Sequence, residues 1–87
     1  MIDSDFQLAT ARQLLARLER LSADSYWAHR ASGLRGSLLK CVEEIDIAQG
    51  NYQSVHDTTW DRLEKLNKRG FRILENAARE IRIRETE

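Results

Sequence analysis

The stretch that decides the fold is residues 25–48, SYWAHRASGLRGSLLKCVEEIDIA. Apolar or small residues return in it at alternating steps of four and three, at Trp27, Ala31, Leu34, Leu38, Cys41 and Ile45. In an α-helix, this spacing places the side chains in one continuous stripe that can pack against neighbouring helices. The sequence therefore predicts a second helix over about 25–48, with a buried seam along one face.

Similar spacing occurs on both sides of this segment. Residues 4–21 carry one apolar stripe, which consists of Leu8, Ala11, Leu15 and Leu18. Leu14 and Leu21 lie beside this stripe. Residues 54–81 carry a longer stripe of Leu63, Leu66, Gly70, Ile73, Leu74, Ala77 and Ile81, which Trp60, Phe71 and Ala78 widen beyond what a surface helix needs. These patterns predict a first helix over about 4–21 and a third helix over about 54–81.

Polar residues mark the predicted helix ends. Asp3 or Ser4 can cap the first helix, and residues 22–25 form a turn in which Asp24 or Ser25 caps the second. Gly50 with Asn51 is expected to end the second helix in a left-handed conformation. Residues 54–57 and 58–61 both fit a capping-box pattern, so the start of the third helix is open by one turn. The polar tail after Ile81 is expected to fray.

Three helices with short connections predict an all-α, three-helix up-down-up bundle in one domain of 87 residues. The formal net charge is zero, from 14 basic and 14 acidic side chains, so the charge balance favours neither nucleic acid nor a membrane as a partner. The single cysteine favours a reducing compartment. The N-terminus lacks a signal-peptide pattern, and no stretch approaches 18 apolar residues, so we expect a cytoplasmic protein.

The predicted second helix carries an unusual strip of small residues. Ala28, Ser32 and Gly36 lie four residues apart, and Gly33 lies beside them. Each glycine inside a helix costs about 1 kcal/mol relative to alanine, and close approach of another backbone is the usual compensation. Three interpretations stay open: packing within the bundle, a homodimer contact with His29 and Arg35 at its rim, or a ligand or modification site. The wide apolar arc of the third helix favours the homodimer.

His29 points away from the predicted core, and Gly33 follows it by four residues. This stretch resembles histidine phosphotransfer domains, in which an exposed helical histidine precedes a lysine by three residues and a glycine by four. The resemblance covers only a few residues, and Ser32 stands where the lysine is expected. It implies a phosphoryl-accepting role for His29 in a four-helix arrangement, which this chain would reach only as a dimer or with a split helix.

The third helix carries a basic stripe on the side opposite its apolar face, formed by Arg62, Lys65, Arg69, Arg72 and Arg79. Such a row can follow a phosphate backbone, bind an acidic protein, or simply lie in solvent. Acidic residues border it at Asp61 and Glu80. The second helix has basic residues early and acidic residues late, the reverse of what its dipole favours, which suggests that these charges pair with neighbouring helices or an antiparallel partner.

The sequence contains no phosphate-binding glycine loop and no helical zinc motif, and its two histidines, His29 and His56, are far apart. Cys41 lies on the predicted buried seam, which is typical of an inert thiol. We therefore expect a non-catalytic protein-interaction module without cofactor or metal. Its expected partners are a second copy of itself and another protein, bound through the small-residue strip. Nucleic-acid binding through the basic stripe and phosphotransfer at His29 are the alternatives.

Overall fold

Three helices account for most of the chain in the computed structural model: α1 spans Ser4–Glu19, α2 spans Tyr26–Gly50 and α3 spans Asp57–Thr86. The structure describes the backbone of residues 4–21 and 26–86, and the side chains of 4–21 and 26–80. Within these ranges there is no strand, and the predicted all-α class is confirmed. The predicted turn at 22–25, with its possible caps, and Asp3 lie outside the described residues.

α1 ends at Glu19, slightly before the predicted end at Leu21. The amide of Arg20 donates to the carbonyl of Arg17 at 3.1 Å, and the amide of Leu21 donates to that of Leu18 at 3.4 Å. Both bonds join residues three apart, which is the tighter pattern that commonly closes the last turn of a helix. Leu21 therefore stays close to the core although it is not helical.

The end of α2 differs from the prediction. The helix continues through Gly50, and no described glycine has a positive φ; the left-handed residue is Tyr52, with φ of 56°. The amide of Tyr52 donates to the carbonyl of Gln49, and the amide of Gln53 donates to that of Ala48 at 2.8 Å. These two bonds form a Schellman motif with Tyr52 in the position that glycine usually takes. The prediction that Gly50 with Asn51 would be left-handed is wrong, because the left-handed residue that closes the motif comes two residues after the glycine.

α3 begins between its two predicted starts and runs past its predicted end. The amides of Thr59 and Trp60 both donate to the carbonyl of His56, at 3.0 and 3.3 Å, so His56 takes the capping position in front of Asp57. The helix continues to Thr86, past the predicted end at Ile81. Residues 82–86 contain neither glycine nor proline, so nothing in their sequence stops the helix.

The three helices share one core. The core consists mainly of buried leucines, with two alanines and one valine, one isoleucine and one cysteine. Its members are Leu8, Ala11, Leu14, Leu18, Ala31, Leu34, Leu38, Cys41, Val42, Ile45, Leu63 and Leu66. The predicted seam of α2 is buried except at Trp27, which is half-buried. On α1, Leu14 is more deeply buried than Leu15, so the stripe is rotated slightly from the predicted one. Cys41 is buried, as predicted.

Gly70 of α3 allows α1 to approach closely. A β-carbon added at Gly70 would lie 3.2 Å from Cδ1 of Leu14, closer than most real contacts of this kind. The absence of a side chain at this position therefore creates the space that Leu14 fills. The sequence pattern placed Gly70 on the core stripe of α3 but gave no sign of this contact.

One buried polar contact also joins α1 to α3. Asn67 is almost fully buried, and its Nδ2 donates to the backbone oxygen of Gln7 at 3.1 Å and to Oε1 of Gln7 at 2.8 Å. Its Oδ1 has no hydrogen-bond partner in the structure. Hydrogen bonding of the amide group compensates for part of the cost of burying it between two helices.

Ion pairs link α2 to both neighbours. Arg12 of α1 pairs with Asp46 at 2.7 Å, and Arg35 pairs with Glu19 of α1 at 2.5 Å. Glu44 pairs with Arg62 of α3 at 2.5 Å. The reversed charge order of α2 is therefore matched in part by neighbouring helices, which is one of the two explanations that the sequence left open.

Candidate functional site

The two central glycines of α2 face open space. A β-carbon added at Gly33 or Gly36 would lie more than 4 Å from any atom outside its neighbouring residues and the adjacent backbone of α2, and both residues are exposed. Ser32 is exposed too, and Ala28 is half-buried. The interpretation that these glycines serve close packing within the chain is therefore wrong. Their helical cost, about 1 kcal/mol each, is not compensated by any contact inside the described molecule.

Six exposed residues of α2 form what we call the outer seam: His29, Gly33, Gly36, Lys40, Glu43 and Ile47. They follow the same alternation of four and three as the buried seam, on the other side of the helix. This is the periodicity with which helices pack along one another. Sequence reasoning singled out His29, Gly33 and Gly36 but did not join Lys40, Glu43 and Ile47 to them as one surface.

The small-residue strip borders the α1 side of α2. Ala28, Ser32 and Arg35 line a shallow depression of about 390 Å³ together with Leu18 and Glu19 of α1 and with Leu21, which follows that helix. Arg35 is held there by its ion pair with Glu19. Of the six residues predicted to bind a partner, the structure thus places Ala28, Ser32 and Arg35 along this depression. His29, Gly33 and Gly36 lie on the outer seam.

His29 is exposed, as predicted. Gly33 lies one turn further along α2, and Ser32 occupies the position of the lysine that phosphotransfer domains place beside their histidine. The nearest lysine along the outer seam is Lys40, three turns away at about 1.5 Å of rise per residue. The lysine that phosphotransfer domains place one turn after their histidine is therefore absent from this position of α2.

The predicted basic stripe of α3 is divided in the structure. Hydrogen bonding to Cys41 and to Glu44 raises the pKa of Arg62 above its ordinary value, so this guanidinium is engaged by α2. Arg79 pairs with Glu75 of its own helix at 2.9 Å. The remaining members, Lys65, Arg69 and Arg72, form no ion pair with the described residues. The stripe is thus a short unpaired section between two paired ends.

Two of these unpaired arginines lie beside α2. A groove of about 480 Å³ separates the helices there, and its lining residues are Trp27, Arg30, Gly33, Leu34, Ser37, Arg69, Arg72, Ile73 and Asn76. We call it the arginine groove. Three arginines and no carboxylate line it. Its α2 side was not recognised in the sequence, because the neighbours of Arg30 are set by the packing of α2 on α3 and not by spacing within either helix.

Aromatic rings support Arg30 at the end of this groove. Its guanidinium carbon lies 5.4 Å from the centre of the Tyr26 ring and 5.4 Å from the Trp27 ring. The two rings meet edge to face, with centres 5.1 Å apart. Cation–π contact holds a guanidinium without using a carboxylate. The N–H groups of Arg30 therefore have no acidic partner among the residues that the structure describes.

The wide apolar arc of α3 is only partly covered. Trp60 packs against the core, whereas Phe71 is about half exposed and Ala78 is exposed. On α2, Leu39 and Ile47 are also exposed. Single exposed apolar residues are common on protein surfaces, so this observation supports an interface only in combination with others.

The described residues form neither a cluster of metal-ligating side chains nor a membrane-spanning helix. Across residues 4–21 and 26–80, no group of three or more histidine, cysteine or acidic side chains could hold a metal ion. In the same part of the chain, no helix has the length and hydropathy of a membrane span. Comparison with models of known protein families, with characterised proteins and with solved structures finds no match for this chain.

Proposed function

We propose that this protein is a non-catalytic protein–protein interaction module that pairs with a second copy of itself through the outer seam of α2. The observation that carries the proposal is the open space at Gly33 and Gly36. Two glycines in the middle of a helix weaken it, and nothing within the chain compensates. A second helix lying across the two glycines would compensate for this cost, because a surface of small residues allows two helix backbones to approach closely.

The pairing rests on a proposed up-down-up arrangement of the helices. The ion pairs between α1 and α2 join early residues to late ones, Arg12 to Asp46 and Glu19 to Arg35, which supports opposite directions. Contacts between α1 and α3 join residues in the same order, as for Leu14 beside Gly70. This arrangement leaves one face of α2 uncovered for a partner.

We infer an antiparallel crossing of the two α2 helices near Gly36. In a parallel pair, each Lys40 and each Glu43 would lie beside its own copy, which is unfavourable for like charges. In an antiparallel pair, His29 lies beside Glu43 of the partner subunit, because both are seven residues from Gly36. Such a contact is isologous, as two-fold symmetric dimers require.

Substitution of Gly36 by leucine tests this proposal. Light scattering of the wild-type protein over a concentration series should show a dimer at high micromolar concentration, whereas Gly36→Leu should stay monomeric with its helicity kept. A strictly monomeric wild-type protein at high micromolar concentration would overturn the proposal. Loss of helicity in Gly36→Leu would contradict the open surroundings of Gly36, and unchanged dimerisation would exclude the strip as the contact.

Nucleic-acid binding through α3 is the second candidate, and the exposed Lys65, Arg69 and Arg72 are the observation that favours it. Phosphate contacts make such binding depend strongly on salt. Reversal of charge at Arg69 and Arg72 should then abolish binding of a mixed-sequence duplex. Binding that ignores both salt and reversal would exclude this candidate.

Phosphotransfer at His29 is the weaker alternative, supported by the exposure of this histidine on α2. Incubation with a small phosphodonor should then label the protein at His29, and the absence of label would exclude it. For the interaction module we propose a cytoplasmic location, where a lone buried thiol such as Cys41 stays reduced.

A further inference from the structure

We infer that the arginine groove between α2 and α3 binds an acidic peptide segment of a partner protein, with an apolar side chain of that segment on the floor of the groove. The inference rests on the proposed function as a protein-binding module. It uses a different surface from the outer seam, which shares only Gly33 with the groove, so each can fail without the other.

Charge is the first argument for an acidic ligand. Arg69 and Arg72 are three residues apart and therefore neighbours on α3, and Arg30 faces them from α2. None of the three forms an ion pair with a described residue, although Arg12, Arg35 and Arg62 all do. Three adjacent like charges repel one another, and a carboxylate between them would remove that repulsion.

The supported position of Arg30 is the second argument. Contact with the rings of Tyr26 and Trp27 fixes the face of its guanidinium, which leaves the N–H edge available. A guanidinium binds a carboxylate through that edge, with two parallel hydrogen bonds in the best geometry. A positioned arginine loses less conformational entropy on binding than a free one does.

The floor of the groove explains why the ligand should be amphipathic. Trp27, Leu34 and Ile73 supply its apolar surface, and Ser37 and Asn76 add neutral hydrogen-bonding groups. Binding grooves in proteins commonly combine an apolar floor with a few polar groups that fix orientation. A peptide that alternates acidic and apolar residues matches both the arginines and the apolar floor. A simple inorganic anion would leave the apolar floor exposed to solvent.

The distribution of paired charges favours a peptide over nucleic acid. A phosphate backbone follows a row of cations, but Arg62 and Arg79 at the two ends of the stripe are paired with Glu44 and Glu75. Arg30, Arg69 and Arg72 lie together at one groove of about 480 Å³, and the chain as a whole has no net charge. A short acidic segment matches this confined cluster better than an extended polyanion does.

Fluorescence of Trp27 provides the test. In a Trp60→Phe variant, Trp27 is the only tryptophan, and it lines the groove. The probe is the synthetic peptide ELEELE, compared with QLQQLQ, ESEESE and a twelve-nucleotide oligothymidine at the same low ionic strength. We expect ELEELE to bind about tenfold more tightly than either peptide control, because each of those lacks one of the two features.

Charge-removing variants inside and outside the groove locate the binding. Arg69→Gln with Arg72→Gln should weaken ELEELE binding by at least about tenfold, whereas Arg79→Gln, on the same helix but outside the groove, should change it less than about twofold. No binding of ELEELE, equal binding of ESEESE, or equal loss in Arg79→Gln would overturn the inference. Tighter binding of the oligothymidine than of ELEELE would overturn it in favour of nucleic acid.

A third variant separates this inference from the proposed dimer. Gly36 does not line the groove, so Gly36→Leu should abolish self-association and leave ELEELE binding within about twofold of wild type. Dimerisation without peptide binding would overturn the groove alone, and peptide binding in a monomeric wild-type protein would overturn the dimer alone.

Discussion

Gly70 and Gly36 both lie inside long helices, yet their surroundings are opposite. A β-carbon at Gly70 would press on Leu14 of α1, whereas a β-carbon at Gly36 would meet nothing within 4 Å. The first glycine is explained by packing inside the chain, and the second is not. The comparison shows that a helical glycine indicates an external contact only after its internal neighbours are known.

The largest effect that sharpens this comparison is expected at Gly70. Gly70→Leu should lower the free energy of unfolding by about 3 kcal/mol, because the new side chain must displace Leu14 from the core. Chemical denaturation followed by circular dichroism measures the change. Leu14→Ala in the same chain should restore part of the loss; if it does not, the contact between the two positions is not the cause.

Alanine at the exposed glycines should act in the opposite direction. At concentrations low enough to keep the protein monomeric, Gly33→Ala and Gly36→Ala should each raise the free energy of unfolding by about 1 kcal/mol. Gly70→Ala should raise the free energy of unfolding by less than this, or lower it, because the new methyl group lies 3.2 Å from Cδ1 of Leu14. Equal changes at all three positions, measured by denaturation, would show that their surroundings do not differ as described.

Tyr52 extends the comparison to a position where glycine is favoured and absent. Its left-handed backbone is costly for any side chain, and its ring is 99% exposed, so its replacement loses no packing. Tyr52→Gly should raise the free energy of unfolding by roughly 0.5–1 kcal/mol, after the greater freedom of glycine in the unfolded chain is included. A drop in thermal stability would instead indicate that Tyr52 makes a stabilising contact.

The smallest effect is expected at the ion pair beside the strip. Arg35 and Glu19 are both well exposed, so Arg35→Gln should lower the free energy of unfolding by about 0.5 kcal/mol or less. High salt should lower the free energy of unfolding of the wild-type protein by a similar amount and that of the variant by less. A loss several times larger would show that Arg35 contributes through packing and not through charge.

The sequence was sufficient for most of the helical architecture. The alternation of three and four on α2 predicted its buried seam, because the period of apolar residues marks the face of a helix that packs on its neighbours. Helix ends were less predictable. The stop at Tyr52 could not be found, since left-handed helix ends usually show themselves by glycine, and Gly50 lies two residues earlier.

The surfaces were predictable only where one helix defines them. Exposure of His29 followed from its position on α2, whereas the sequence left open whether Gly33 and Gly36 pack inside the chain. The arginine groove did not, because Arg30 and Arg69 are far apart in sequence and meet only through the packing of two helices. The pairing of Arg62 with Glu44 likewise depends on the register between α2 and α3, which no local pattern encodes.

Cysteine cross-linking tests the proposed crossing of the outer seams most directly. Gly36→Cys lies on the proposed two-fold axis, so two copies should form a disulfide under mild oxidation. Glu43→Cys, seven residues away on the same seam, and Lys68→Cys, exposed on α3, are the controls, and native Cys41 is buried in all of them. The account predicts a covalent dimer that is abundant for Gly36→Cys and sparse for both controls. Equal cross-linking of Gly36→Cys and Lys68→Cys would contradict it, and equal cross-linking of Gly36→Cys and Glu43→Cys would contradict the antiparallel direction.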